Sequence, residues 1–515
     1  MARVGRLTLF AAIFVAFAAL LGFKAFVPAI PTSRLQRRCP ALVLGHTPKT
    51  VQAPRSTSLP RPALPTLLAA GGAAALLLRQ VVQRLGSNDS ALRDLISKHT
   101  NILIVDDFTN SDSVESPVLP EPRCRANSAD ELHWYVAPNG DGLPPVRWIL
   151  KKPSALQRVL LEGGLGFAES YMDGDWDTDD LERLVFEMLK LENVRSELGW
   201  RVMPLLSMIF WGALKWKILP GNSLKGAQSN IANTYDVLNS PKLYEIMLGP
   251  TMQYTCAYYP RPDMSLDEAQ EAKMDLIAKK LDLKPGMRCL EFGFGFGAQA
   301  HYLASKYGVH VTGVTLSREQ MAWAVEHSAH PNIEYRFQDY REVTGKFDRI
   351  YSVGMFEHVG RNSYETFFDK CYELLKDDGI MLIHTMGWAR RGPWNHNAFV
   401  NKYIFPGGEM PTMSHMTMEY SDRWHMEDWQ SFGKSYVMTL RCWLERIRDW
   451  KGLDELDNRF RRMWVYYLCA CAAAFERRRV KLWQITCTKL NSTRPDDCLH
   501  IRNEASPEMA ASTAA

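Results

Sequence analysis

Glu291-Phe292-Gly293-Phe294-Gly295-Phe296-Gly297 is the stretch on which the fold turns. It closes a short apolar run, Arg288–Phe292, and leads into a segment of helical spacing at 300–307. Glycine has no Cβ, so alternate glycines let the backbone approach a ligand closely. They also form the crevice at the carboxyl end of a strand, where open α/β sheets bind cofactors. Alone, GxGxG leaves two readings open: a dinucleotide or nucleoside turn, and a tight structural turn. Working outward, His310–Thr315, Ile333–Phe337, 349–353 and 380–384 are further strand-like runs, each separated from the next by a helix-length stretch. This alternation implies an α/β fold whose parallel sheet is covered on both faces.

The second run ends in Thr315-Leu316-Ser317 and not in the lone acid expected for a nicotinamide ribose. Its hydroxyls and the Gln320 amide are candidates for binding a ribose. Asp339, closing the third run, can accept from an adenine amino group or cap a helix.

Of 61 Lys and Arg, eleven lie in residues 1–88, which hold no Asp or Glu. The remaining 50 face 57 acids, a balance that argues against a nucleic-acid-binding body. Residues 1–88 read as a targeting leader. An uncharged run at 7–23 fits a secretory h-region or short anchor, a transit-like tract follows at 24–62, and a second apolar segment lies at 62–78. The expected location is membrane-associated in a eukaryotic cell, in a plastid or the endoplasmic reticulum. Residues 89–145 read as a linker with one short strand at 102–105, 146–228 as a small helical domain, 229–490 as the α/β domain and 491–515 as a tail. Within the helical domain, 200–225 is rich in Trp and Lys, as in a helix resting on lipid or a hinge packed between domains. Ten scattered cysteines without a CxxC pair exclude a disulfide scaffold and a Cys-rich zinc site, and no metal is expected.

Several segments together resemble the cyclopropane-fatty-acyl-phospholipid synthases and their mycolic acid cyclopropane synthase relatives, which use S-adenosylmethionine. They are Tyr254-Thr255-Cys256-Ala257-Tyr258, the Gly-rich turn, Val311-Thr312-Gly313-Val314-Thr315-Leu316-Ser317, and Gly354-Met355-Phe356-Glu357-His358-Val359-Gly360. Further matches are His384-Thr385, Lys402-Tyr403-Ile404-Phe405-Pro406-Gly407-Gly408-Glu409, Glu427-Asp428-Trp429 and Arg477-Arg478-Arg479-Val480-Lys481-Leu482-Trp483-Gln484. The resemblance spans about residues 150–490, and Glu169-Ser170-Tyr171-Met172-Asp173-Gly174 resembles the amino-terminal domain of the longer bacterial synthases. It implies a seven-stranded, mostly parallel, Rossmann-like methyltransferase sheet. The cofactor residues carried over are Tyr254, Thr255, Gly293, Gly295, Thr315, Leu316, Gln320 and Tyr340, which join Asp339. Phe294, Phe296, Thr255 and Thr234 depart from the family pattern, where Cys, Trp, Ser and His are usual.

The chemistry so implied is attack of an alkene on a sulfonium methyl, leaving a carbocation that must be kept from water and then lose a proton. An aromatic pocket suits that cation, with Tyr254, Tyr258, Tyr259, Phe356 and Trp388 as candidate wall residues or ordinary core. The resemblance also implies a bound bicarbonate as base, cradled by the backbone of Cys256 and Met386 and by the side chains of Glu357, His384 and Tyr436. The leading expectation is a transfer to a cis double bond of a phospholipid acyl chain at a membrane surface, giving a cyclopropane fatty acid. Methyl branching of the chain, small-molecule N-methylation, a lipid-binding protein without catalysis and a homodimeric assembly are alternatives left open.

Overall fold

The computed structural model describes residues 89–108, 144–191, 241–389, 397–420 and 423–492. The leader with its apolar runs, the Trp-rich stretch 200–225, Thr234 and the tail beyond 492 lie outside the described residues.

The amino-terminal part runs α1 (Asp89–His99), β1 (Ile102–Asp106), β2 (Val146–Leu150), α2 (Ser154–Glu162), α3 (Gly164–Met172), β3 (Trp176–Thr178) and α4 (Leu181–Met188). Strand β2 pairs in parallel with β1 and antiparallel with β3. The expectation of a purely helical domain is corrected: a three-stranded sheet forms its floor. In β2, Val146, Trp148 and Leu150 are buried and Arg147 is exposed, a period-2 pattern too short to stand out beside the helical spacing that follows. The span read as a linker likewise begins with a helix and a strand, anchored by buried Ile96 and Ile102. Trp148, Phe167, Tyr171 and Trp176 form an aromatic core with centroids 4.5–5.8 Å apart.

The α/β part contains α5 (Pro241–Leu248), α6 (Leu266–Lys280), β4 (Arg288–Phe292), α7 (Ala298–Tyr307), β5 (His310–Thr315), α8 (Arg318–His327) and β6 (Ile333–Phe337). It continues through β7 (Phe347–Val353), α9 (Tyr364–Leu374), β8 (Leu375–Trp388), α10 (Ala398–Tyr403), α11 (Met413–Tyr420), β9 (Trp424–Ser431), α12 (Lys434–Arg446), α13 (Asn458–Glu476) and β10 (Val480–Lys489). The sheet has seven strands in the order β6-β5-β4-β7-β8-β10-β9. It is parallel from β6 to β8, and β10 pairs antiparallel with both β8 and β9. Alternation along the strands separates two cores. Leu290, Phe292, Ile350, Met381 and Ile383 pack with Phe367 and Cys371 of α9, while Cys289, Tyr351, Ile380 and Leu382 pack with Ile277 of α6 and Leu303 of α7. Strand order reverses between β4 and β7, which opens a crevice at their carboxyl ends.

The two parts are joined through α12 and α13. Arg462 of α13, 1% exposed, donates to Tyr171 O at 2.6 Å, to Trp176 O at 2.9 Å and to Asp177 Oδ2 at 3.4 Å, with its guanidinium 3.9 Å from the Tyr171 ring centroid. Arg441 of α12 makes a forked contact with Glu182. A buried guanidinium with every partner supplied is tolerated, whereas removing it strands carbonyls and a carboxylate away from water. Arg462→Ala should therefore lower the unfolding free energy by about 3 kcal/mol or more. Urea unfolding monitored by circular dichroism checks this, and a loss below ~1 kcal/mol would contradict it.

Candidate active site

The turn after β4 rests on positive backbone angles, φ +77° at Gly293 and +57° at Gly295. A Cβ at Gly293 would lie 2.7 Å from Met355 Cβ, so packing and conformation both demand glycine there. A Cβ at Gly295 meets nothing within 4 Å, because this residue faces open space in the crevice. The aromatic departures at Phe294 and Phe296 are buried, against Tyr335 at 4.7 Å and Trp323 at 5.9 Å respectively.

One cavity gathers all nine residues assigned to the cofactor: Tyr254, Thr255, Gly293, Gly295, Thr315, Leu316, Gln320, Asp339 and Tyr340. Thr315 and Leu316 close β5, and the Ser317 hydroxyl caps α8 by accepting from Gln320 N at 3.1 Å. Tyr340 is held between Phe292, to which it is tilted, and Phe367, which it meets edge-on, at 5.5 Å from each. Asp339 takes its capping role, accepting from Arg341 N at 2.9 Å, and also holds the Arg341 guanidinium in a two-pronged contact at 2.7–2.8 Å. Its carboxylate still lines the cavity, with lone pairs to spare.

Sequence reasoning missed two residues here. Lys273 is fully buried on α6 and donates to Gln253 Oε1 at 2.5 Å and to Thr255 Oγ1 at 2.7 Å, which ties the cavity wall to the helix. Burial lowers its ammonium to about 7, opposed by nearby Cys256 and Glu291. Glu291, the last acid before the Gly turn, is raised by burial to about 8 and accepts from Tyr351 Oη at 3.1 Å. The signal was present: Lys273 occupies the same helical face as Ala269, Gln270 and Ile277, all buried.

The four residues assigned to catalysis lie outside the cavity lining, beside it in sequence and space. Glu357 follows Met355 and Phe356 on the turn after β7, and His384 and Met386 share one face of β8. Glu357 Oε1 accepts from Met386 N at 2.6 Å, and Oε2 is buried without a hydrogen-bond partner. Burial pushes this carboxyl up to about 7, against the pull of the Met386 amide and the Thr385 hydroxyl. The Met386 N–H is thus committed to Glu357, which corrects the expectation that this amide serves the anion directly. His384 meets the Gln484 amide through Nδ1 at 3.2 Å, while Nε2 is buried and unpartnered. Burial, then Lys273 and Lys280, hold its ring well below the usual imidazole range. Tyr436 stacks on Phe475 at 4.4 Å, its phenol pushed up by burial and by the nearby Cys256, Glu357 and Tyr254. The Cys256 thiol is likewise pushed up by burial and donates to Ala257 O at 3.2 Å, so it is no thiolate nucleophile.

The aromatic candidates separate. Tyr254 lines the cavity, among Tyr244, Trp443 and Phe405 at 5.2–6.1 Å, with its hydroxyl 3.1 Å from that of Tyr467. Phe356 takes the ordinary-core alternative, stacking on Tyr364 at 4.7 Å beneath α9. Tyr258 packs on Phe432, the Tyr259 hydroxyl reaches Cys442, and Trp388 lies under Arg479.

Residues 222–485 match the family model described as mycolic acid cyclopropane synthetase. The cyclopropane-fatty-acyl-phospholipid synthase of Escherichia coli K12 is 41% identical over 352 residues, covering 68% of this chain and 89% of that protein. A probable fatty acid methyltransferase of Mycobacterium tuberculosis is 32% identical, covering 66% and 86%. Among solved structures, the mycolic acid cyclopropane synthase CmaA1 complexed with SAH and CTAB is 32% identical. It covers 50% of this chain and 97% of that one, with a TM-score of 0.47. The expected eukaryotic location, in a plastid or the endoplasmic reticulum, is corrected by these relatives, which are bacterial. Among the described residues no helix is long and apolar enough to cross a membrane.

Gly295→Asp strains a left-handed backbone of the kind Asp tolerates better than most residues and sends its side chain into open space, so the variant should fold at a modest cost yet lose S-adenosylmethionine binding by filling the crevice with a negative group. Calorimetry on the folded variant decides it, and unchanged affinity would remove the turn from the cofactor site.

Proposed function

The chain belongs to the mycolic acid cyclopropane synthetase family and is an S-adenosylmethionine-dependent methyltransferase of the cyclopropane-fatty-acyl-phospholipid synthase type, and on that premise we propose its substrate and its proton-removing apparatus. The substrate is a phospholipid acyl chain with a cis double bond, and the product carries a cyclopropane ring. The observation that carries this reading is the pair of buried, unpartnered polar atoms next to the cofactor cavity, Glu357 Oε2 and His384 Nε2. Leaving such atoms unsatisfied costs about 1–3 kcal/mol each, so they are best explained by a small polar guest that both can reach. Bicarbonate fits this donor and acceptor set, and we assign Glu357, His384 and Tyr436 to hold it.

When bound, S-adenosylmethionine supplies an electrophilic methyl group and bicarbonate a base. The chain supplies the surroundings. Gly293 and Gly295 admit the cofactor to the backbone, and Thr315, Gln320 and Asp339 offer acceptors and donors for its nucleoside. Glu357, with a carboxyl raised to about 7, can share a proton with an anion's hydroxyl where a fully ionised acid would repel it. His384 and the Tyr436 phenol donate to the same guest, and neither ionises near neutral pH. Tyr254, with Trp443 behind it, presents a π-surface that favours positive charge and keeps water away.

Glu357→Gln and His384→Ala should each cut turnover on the order of 10²-fold or more while leaving cofactor affinity nearly unchanged. Adding bicarbonate to a depleted assay should raise the wild-type rate. Near-normal turnover in both variants, or no response to bicarbonate, would refute the assignment. The same Gln variant has a pH signature. Because the folded-state value of Glu357 is raised from about 4.5 to about 7, the wild type loses stability as pH rises through that interval and the Gln variant does not. The stability of Glu357→Gln relative to wild type should therefore be higher at pH 8 than at pH 4, measured by denaturant unfolding, and equal differences would contradict the burial of an ionising carboxyl.

A further inference from the structure

Strand β10 is the one strand inserted antiparallel between β8 and β9, and its register sets Gln484 directly opposite His384. Both side chains are buried, at 0% and 1% exposure, and the amide nitrogen Nε2 of Gln484 lies 3.2 Å from Nδ1 of His384. With the amide turned nitrogen-first toward the ring and Gln484 Oε1 buried without a hydrogen-bond partner, Nδ1 accepts, and a neutral imidazole that accepts through one nitrogen carries its proton on the other. The doubly protonated ring is disfavoured here, because the ring is buried and Lys273 and Lys280 lie near.

We propose that Gln484 is a positioning residue that locks His384 in the neutral tautomer with its proton on Nε2, the nitrogen left free for the guest of the catalytic cluster. The inference rests on the reading of His384 given above. It adds what the amide nitrogen of Gln484 does behind the histidine. An acceptor at that place, a carboxylate or the amide's own oxygen turned inward, would draw the proton to Nδ1 and leave Nε2 an acceptor, unable to donate to the guest. Support of this kind behind a working histidine typically changes activity by about 10–100-fold, by analogy with the outer-shell partners of metal-bound histidines.

The test uses the full chain labelled with ¹⁵N-histidine, the His384 signals being those lost in His384→Ala. In the wild type Nδ1 should be unprotonated and Nε2 protonated, and a protonated Nδ1 would overturn the proposal without recourse to any variant. Gln484→Glu should move the proton to Nδ1 and lower kcat on the order of 10-fold or more, with KM for S-adenosylmethionine within about twofold of wild type. Gln484→Met, which fills the space without donating, should lower kcat while leaving the fold intact by circular dichroism. Wild-type turnover in a folded Glu variant would overturn the proposal. Failure of the underlying reading looks different: the tautomer would be as stated, but His384→Ala would turn over normally.

Discussion

The aim of the Glu357 carboxyl depends on one hydrogen bond, from the backbone amide of Met386 to Glu357 Oε1 at 2.6 Å. It joins the turn after β7 to the last residues of β8, so the carboxyl is aimed by two parallel strands and not by a loose loop. A buried carboxyl with one donor and one unpartnered oxygen is costly in water-free surroundings, and only a surrounding fold of considerable rigidity can maintain it. The antiparallel insertion of β10 ties this end of β8 to the rest of the sheet. It covers the far side of β8, brings Gln484 to His384, and leads back from α13, the helix that carries both Arg462 toward the amino-terminal part and Tyr467 toward Tyr254.

Around this bond the site keeps its polar groups dry but uncharged or counterbalanced. Burial lowers Lys273 and raises Glu291 and Glu357 toward neutrality, while Cys256 and Tyr436 keep their protons. Such an interior suits chemistry in which a cation forms on a hydrocarbon chain, because its polar groups carry little net charge and aromatic rings such as Tyr254 line it.

Much of this was legible in the chain itself, for identifiable reasons. The parallel sheet was legible because five of its strands read as short apolar runs punctuated by the Gly293–Gly297 turn, whereas its full count of seven strands and most of the cofactor residues were implied by the family resemblance. Asp339 showed the limit of such reading, since its capping and ligand roles use the same residue type and the structure gives it the cap with the cavity at its back. What remained hidden depended on register between distant segments. Gln484 stood in a motif without a role until β10 set it against His384, 100 positions away, and Met386 looked like a ligand until its amide was found on Glu357. Phe356 was indistinguishable from a pocket residue because core and pocket draw on the same aromatics. The small sheet β1-β2-β3 was overlooked because β2 is separated by about forty residues from its parallel partner and its own alternation covers only five.

The central claim is that the base held by Glu357 and His384 takes its proton from the carbon just delivered, and hydrogen counting tests it directly. The full chain would be given a phospholipid with a cis-unsaturated acyl chain and S-adenosylmethionine bearing a trideuterated methyl group, and the product lipid analysed by mass spectrometry. Ring closure by loss of a proton from the added methyl leaves two deuteriums on the new carbon, and this is the expected result. Retention of all three would mean that the proton left from elsewhere on the chain, and would contradict ring formation at this site.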